Sequence, residues 1–217
     1  MDQLPVRRWE WRTFAGAFDE LTPLMPAAYE IAHETYVLGA AAHANVKIRG
    51  NAVDVKTLLD TRHGLELWQQ SLQCAFPLCH RAVREIYAAL EVHPPESLFL
   101  PEYNQCDFLT DLVCCTDGVR IVGMNKVRRH AIVEGCIVER SAACVAGQTI
   151  QSAAVESADP DGLRRLLTEL HLDRFENVNY PEFLKRQLGV RSAAPAVSTV
   201  EGAHHDARLR NDSRCHA

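Results

Sequence analysis

Arg8, Glu10 and Arg12 fall on one face of a period-2 strand, with Trp9 and Trp11 on the other. The same alternation returns in Val46-Lys47-Ile48-Arg49 and again in Val53-Asp54-Val55-Lys56. Arginine and lysine in such a pattern grip anions through charge-assisted hydrogen bonds. Carboxylates interleaved with them can hold a divalent ion. On an ordinary antiparallel sheet the charged face meets water and the apolar face meets the core. If the sheet closes on itself, the charged faces can instead line a tunnel suited to a polyanion. The other chemistries a sequence can advertise are missing. The eight cysteines contain no CxxC, the ten histidines form no HExxH pair, and no Ser-His-Asp or Cys-His grouping stands out.

Elements that could carry these faces follow from periodicity and turn chemistry. Strands are predicted at 6–14, 34–39, 45–49, 52–60, 64–70, 119–124, 127–133, 136–145 and 149–157. Gly50-Asn51, Asp117-Gly118 and Ala146-Gly147 supply turns between them. A short helix has room at 27–33. A second, after Pro77, places Val83, Ile86, Tyr87 and Leu90 on one face. Asp159-Pro160-Asp161 starts a third, with Leu163, Leu166, Leu167 and Leu170 at helical spacing, and 182–188 reads as a last helix. The stretch 98–115 carries no clear period. From Arg191 onward the composition is that of a disordered tail, so one domain is expected over 1–190 and a tail over 191–217. By pattern this is an α+β chain around an antiparallel sheet or barrel, about eight strands in hairpins with helices inserted midway and at the C-terminus.

Bulk properties bound the function. The chain has 217 residues, 47% apolar and 24% charged, enough for a sizeable core. A net charge of −5 argues against nucleic acid or an anionic membrane as partner, so an anion site must be local. No basic leader with an apolar core and no spanning stretch is visible, and a cytoplasmic location is expected. Cys136 and Cys144 sit in strand-like segments, where a free cysteine serves as a small hydrophobe. Glu66 and Gln70 could face either a lining or the surface. Arg128 and Arg129 cannot both point inward from a regular strand. Tyr180 reads as a helix-packing residue, and Lys185 and Arg186 suit the end of the last helix.

Taken in order, these segments are similar to a known family. The carriers are Glu10 and Arg12, Lys47-x-Arg49, Asp54-x-Lys56, a later basic strand, and Ser152-Ala153-Ala154-Val155-Glu156 before the Asp159 helix. With Leu170-His171-Leu172 and Asn179-Tyr180-Pro181-Glu182-Phe183-Leu184-Lys185, the chain resembles the CYTH domain, or triphosphate tunnel metalloenzyme fold, over about residues 6–189. The resemblance implies an eight-stranded antiparallel barrel that binds triphosphate or polyphosphate, with Mg²⁺ or Mn²⁺ held by glutamates of the first and last strands. It assigns phosphate binding to Arg12, Lys47, Arg49, Lys56, Lys126 and Arg128, and Arg8, which departs from the family pattern, would add a further phosphate grip. It assigns catalysis to Glu10 and Glu156, and metal to Glu10, Glu139 and Glu156. Two positions depart from the pattern: Arg8 stands where the family has a first glutamate, and Ala154 where it has an acidic partner of Glu156. The functions implied are a metal-dependent hydrolase of inorganic triphosphate or a related phosphoanhydride, or a non-catalytic binder of polyphosphate or phosphorylated ligands. A structural or interaction domain stays open beside them.

Overall fold

The first strand, β1 (Arg7–Thr13), hydrogen-bonds along both of its edges, and this closes the sheet. The computed structural model describes residues 6–14 and 16–190; the tail expected at 191–217 lies outside the described residues. After β1 come β2 (Glu30–Gly39), β3 (Asn45–Arg49), β4 (Ala52–Arg62) and β5 (Leu65–Ala75). A small ribbon of β6 (Leu78–Cys79) and β7 (Glu102–Tyr103) stands apart from the barrel, with α1 (His80–Ala89) between its strands. The segment without clear period holds a short helix, α2 (Gln105–Asp107), a π-helical turn at Phe108–Leu112 and a 3-10 turn at Val113–Cys115. The barrel resumes with β8 (Val119–Val133), β9 (Cys136–Val145) and β10 (Gln148–Ser157), followed by α3 (Pro160–Glu169) and α4 (Tyr180–Gln187). Around the wall the order is β1-β10-β9-β8-β2-β3-β4-β5, antiparallel throughout. The expected α+β architecture, an eight-stranded antiparallel barrel with helices midway and at the C-terminus, is the one observed.

Local expectation fails at two places. Residues 30–33 are strand and not helix: Glu30 to His33 pair with Arg128 to Asn125 of β8. A ladder to a distant strand outweighs a weak local helix preference. The two runs at 119–124 and 127–133 are a single strand of 15 residues, bent back into β9 by Glu134 and Gly135, both at positive φ. That pair of left-handed residues matches the twist of a two-residue hairpin.

Apolar burial is divided among three clusters. Outside the wall, α1 lays Val83, Ile86 and Tyr87 on Val46, Ile48, Val53 and Val55 of β3 and β4. On the opposite outer face, α3 lays Leu163, Leu166 and Leu167 on Trp11, Val138, Ala153 and Val155. The third cluster is inside the barrel. There Tyr180 and Leu184 of α4 meet Tyr36, Leu38, Val122, Met124, Ala143 and Val145. With helices on the outer apolar faces of β1, β3, β4 and β10, the alternating charged residues of those strands have only the lumen to face. Of the strand cysteines, Cys136 is buried as expected, whereas Cys144 is exposed. Among the described residues no helix is long and apolar enough to cross a membrane.

Gly39 marks where α1 meets the wall most closely. A Cβ there would lie 2.1 Å from the carbonyl oxygen of Leu90 and 3.0 Å from its carbon. Both are backbone atoms and cannot swing away. Gly39→Ala is therefore expected to lower stability by about 2 kcal/mol, read as a lower urea midpoint; an unchanged midpoint would show that α1 is not seated on this edge.

Candidate functional site

Strand alternation sends Arg8, Glu10 and Arg12 to the lumen while Trp9 and Trp11 pack outward with α3. The neighbouring strands bring further charges to the same level. Glu10 stands opposite Glu156 of β10 on one edge and opposite Glu66 of β5 on the other, so three carboxylates lie in register on adjacent strands. Lys56 of β4 donates to Glu10 from beyond the intervening β5. Burial and then repulsion from Glu156 raise the Glu10 pKa, and Lys56 opposes both. Glu66 is raised by burial, against hydrogen bonds from Asn179 Nδ2 at 2.8 Å and Trp68 Nε1 at 3.1 Å.

Arg12 shows how a small residue shapes the site. It stands opposite Ala154, which in turn stands opposite Glu139 of β9. Across that short side chain the Arg12 guanidinium reaches Glu139 at 3.1 Å and donates to Ser152 Oγ at 3.1 Å. Lys126 meets the same Glu139 oxygen at 2.9 Å, and Arg128 approaches the other at 3.8 Å. Burial opposes the Glu139 charge, but Lys126 and Arg12 outweigh it and hold its pKa far below the usual carboxylate range. The same contact works in reverse on Arg12, whose pKa rises although burial opposes its charge. Arg128 also forms a forked pair with Glu30 at 2.7 and 2.9 Å. Its neighbour Arg129 lies over the ring of Tyr29, so the two arginines take opposite faces as the strand period requires.

A second acidic hub is Glu34 of β2, almost fully buried. Its carboxylate lies 3.2 Å from Arg49 Nε and 3.8 Å from Lys47 Nζ, and accepts from Tyr36 Oη at 3.1 Å. Burial opposes its charge, but Lys47, Lys126 and Arg49 together lower its pKa. Lys47 moves the other way: burial pushes it down to about 8, although Glu34 opposes the shift.

Arg12, Lys47, Lys56, Lys126 and Arg128 thus converge with Glu10 and Glu139 on one cavity of about 60 Å³. Tyr36, Asn45, Glu66, Trp68, Asn179 and Tyr180 complete its wall. Five cations against three carboxylates leave the lining positive, in a chain whose net charge is −5. The space suits a few waters, so any larger occupant would have to take over partners that now hold one another. Asn45 Oδ1 is buried there with no hydrogen-bond donor among the described residues. Three expected residues are not in the cavity wall. Arg8 has the lumen-facing parity near the start of β1, opposite Trp68, with no ion-pair partner among the described residues. Arg49 reaches the site through Glu34, and Glu156 through its place beside Glu10.

Glu34, which backs the cavity wall through Lys47 and Arg49, escaped the sequence reading, as did Asn179 ahead of α4, while Glu66 was left between lining and surface. Glu34 shares its strand face with Ala32 and Tyr36, and a strand beginning at residue 30 would have shown it as a charge on an inward face. Glu66 shares a face with Trp68, both lining the cavity. Asn179 and Tyr180 enter from α4 and no strand period could find them. Tyr180 packs as expected, but in the lumen, with the Arg12 guanidinium and Lys126 ammonium each 4.7 Å from its ring centre. Lys185 is 2% exposed and donates to the Ala42 carbonyl, so helix-dipole complementarity does not account for it.

If the cavity takes an anion, Lys47 would make that binding pH-sensitive. A bound anion favours its charged form, so its pKa rises from about 8 on binding. Anion affinity should fall as pH rises through that value, and binding just above it should take up a proton. Calorimetry of tripolyphosphate binding in buffers of different ionisation enthalpy reads that uptake directly; buffer-independent heats above pH 8 would refute it.

No family model matches this chain, and no curated protein matches it. Solved structures similar to it include a Bacillus halodurans protein provisionally described as an adenylate cyclase, at 14% identity and TM-score 0.48, covering 79% of this chain and 93% of that one. A conserved hypothetical protein of Pyrococcus furiosus is similar at 16% identity and TM-score 0.48, covering 81% and 98%. A Pyrococcus horikoshii protein is similar at 12% identity and TM-score 0.40, covering 85% and 91%. The closed eight-stranded barrel itself stands on the strand pairing of this chain, and it is the architecture that the resemblance to the CYTH domain implies.

Proposed function

We propose that the lumen binds a phosphate chain, inorganic triphosphate or a related phosphoanhydride, and hydrolyses it with the help of Mg²⁺ or Mn²⁺. The observation that carries this reading is the convergence of five cationic side chains on one cavity whose wall also holds carboxylates in register. Arg12, Lys47, Lys56, Lys126 and Arg128 take phosphoryl oxygens, and Arg8 and Arg49 add charge from outside the cavity wall. Buried guanidinium and ammonium groups repel one another unless an anion lies between them. In the free protein Glu34, Glu139 and Glu10 fill that role; a phosphate chain fills it in the complex.

The donor set fits a hard divalent ion. Glu10 and Glu156 present carboxylate oxygens from opposed positions on β1 and β10, with Glu66 on the far side of Glu10. Repulsion from Glu156 is part of what raises the Glu10 pKa, and a cation held by the two would relieve it. Among the described residues no group of three acidic, histidine or cysteine side chains converges as a ready cage, so water would complete the shell. Such an ion, when bound, neutralises phosphate charge and polarises water. The resemblance adds Glu139 to this set, but its oxygens are engaged by Arg12, Lys126 and Arg128, and we assign it to holding those cations in place. Phosphoryl transfer needs positioning and charge neutralisation more than a covalent nucleophile. Lys56 is freed for the phosphate chain once Glu10 has another partner.

A second reading is favoured by Arg8 and Ala154. With one lumen carboxylate in each of β1 and β10, the barrel would bind polyphosphate or phosphorylated ligands without cleaving them. One assay separates the two: purified protein with tripolyphosphate and Mg²⁺ or Mn²⁺, followed for phosphate release and, in parallel, for binding. Metal-dependent release supports the hydrolase. Binding without release supports the second reading, and the absence of both refutes the phosphate-chain site.

A further inference from the structure

A second cavity, of about 280 Å³, lies on the other side of β1 from the lumen. Trp11, which points outward between the lumen-facing Glu10 and Arg12, forms its floor with Leu65, Leu167 and Phe175. Trp11, Leu65 and Leu167 are 3%, 2% and 4% exposed, so the hollow reaches down to the core beneath α3 and does not rest on surface side chains. Its walls are α3, the β4–β5 turn at His63 and Gly64, and the segment between α3 and α4. That segment is pinned at both sides. Asn177 Nδ2 donates to the Gly64 carbonyl at 2.9 Å, and Asn177 Oδ1 accepts from the backbone N–H of Arg12 at 2.8 Å. Phe175 meets Phe18 edge-on, with ring centres 5.9 Å apart. The walls are thus held by the protein's own contacts, as in a preformed small-molecule site.

Two opposite charges share this wall and do not meet. Arg164 and Asp173 both line the cavity, yet no ion pair joins them, and Arg164 has no hydrogen-bond or ion-pair partner among the described residues. Asp173 is oriented by Thr168, whose hydroxyl donates to its Oδ2 at 2.9 Å; its Oδ1 has no partner among the described residues. A simple carboxylate would satisfy Arg164 but repel Asp173, and a simple amine would do the reverse. A zwitterion with an apolar body satisfies both through charge-assisted hydrogen bonds and covers the apolar floor. The volume is that of about nine waters in the liquid, room for an amino acid but not for a nucleotide. The geometry points to a binding site for a free α-amino acid with a large apolar side chain. Its carboxylate lies on Arg164, its ammonium on Asp173 and its side chain on Trp11, Leu65, Leu167 and Phe175. Nothing in this site depends on what the lumen binds.

L-Phenylalanine is the probe, with phenylacetate and phenethylamine as analogues that each lack one charge. The chain has three tryptophans, and of these Trp11 lines this cavity, so its indole N–H signal in an NMR titration reports occupancy. L-Phenylalanine should shift that signal saturably below about 10 mM. Each analogue should bind about 10-fold or more weakly, the loss of one charge-assisted bond. Arg164 and Asp173 are exposed and lie outside the lumen. Arg164→Gln and Asp173→Asn should therefore each weaken L-phenylalanine about 10-fold at an unchanged melting temperature. No saturable shift, a shift confined to Trp68 of the lumen wall, or L-phenylalanine bound no more tightly than the analogues overturns the site. So does wild-type affinity in both variants.

Discussion

Glu139→Gln is expected to lower folding stability by about 3 kcal/mol or more at neutral pH, read as a fall in the urea midpoint. The substitution keeps the side chain's shape and removes one charge. Arg12 and Lys126 then remain in the lumen without the carboxylate that sits 3.1 and 2.9 Å from them, and Arg128 loses its second acidic neighbour. Breaking a buried pair costs far more than an exposed one because the remaining charge is left without solvent or partner. The pH dependence has a defined sign. The Glu139 pKa is lower in the folded protein than in the unfolded chain, so its contribution is present above the unfolded value and is lost as pH falls below it. Wild-type stability should therefore decline on acidification more steeply than that of the variant. Tripolyphosphate should raise the melting temperature of Glu139→Gln more than that of wild type, since the anion replaces the missing charge. A stability loss under about 1 kcal/mol would mean that the cations reach water and that Glu139 does not organise them.

Glu10→Gln is expected to reduce phosphate release from tripolyphosphate by about 1000-fold, the scale on which transition-state charge stabilisation is lost, while binding holds or tightens. The reason is the double engagement of Glu10. It faces Glu156 across the β1–β10 ladder, where a divalent ion would sit, and it also holds Lys56. Removing its charge disables the first arrangement and releases Lys56 to the anion. Arg12→Ala should behave in the opposite way, weakening binding by about 100-fold or more because a buried, hydrogen-bonded cation is lost. Turnover and a direct binding measurement on the two variants make the comparison. If Glu10→Gln releases phosphate at the wild-type rate, the carboxylate row has no catalytic part, and the lumen is a binding site alone.

Much of the wall was legible because its signals are local. The strand at Cys136–Val145 and the helix starting after Asp159 follow from period, caps and turns within a few residues. Lys47, Lys56 and Arg12 were recognisable as one class because each alternates with apolar neighbours. The readings that failed depended on distant partners. Residues 30–33 look weakly helical alone and become strand through pairing with β8. Ala154 reads as a lost carboxylate, which the fold leaves standing; what only the fold adds is that across its small side chain Arg12 reaches Glu139. Glu34 and Glu66 gained their meaning only from the cations and the asparagine brought to them from other elements.

Alternation of charged and apolar side chains, and hence the existence of charged strand faces, was determined by the sequence itself, because a strand's two faces differ at every step of its own chain. Whether those faces point to water or to a lumen was not. That depended on β1 pairing with both β5 and β10, on α1 and α3 covering the outer apolar faces, and on α4 entering the barrel from below. Closure, register and helix docking join residues more than a hundred positions apart, and no period within a single strand encodes them.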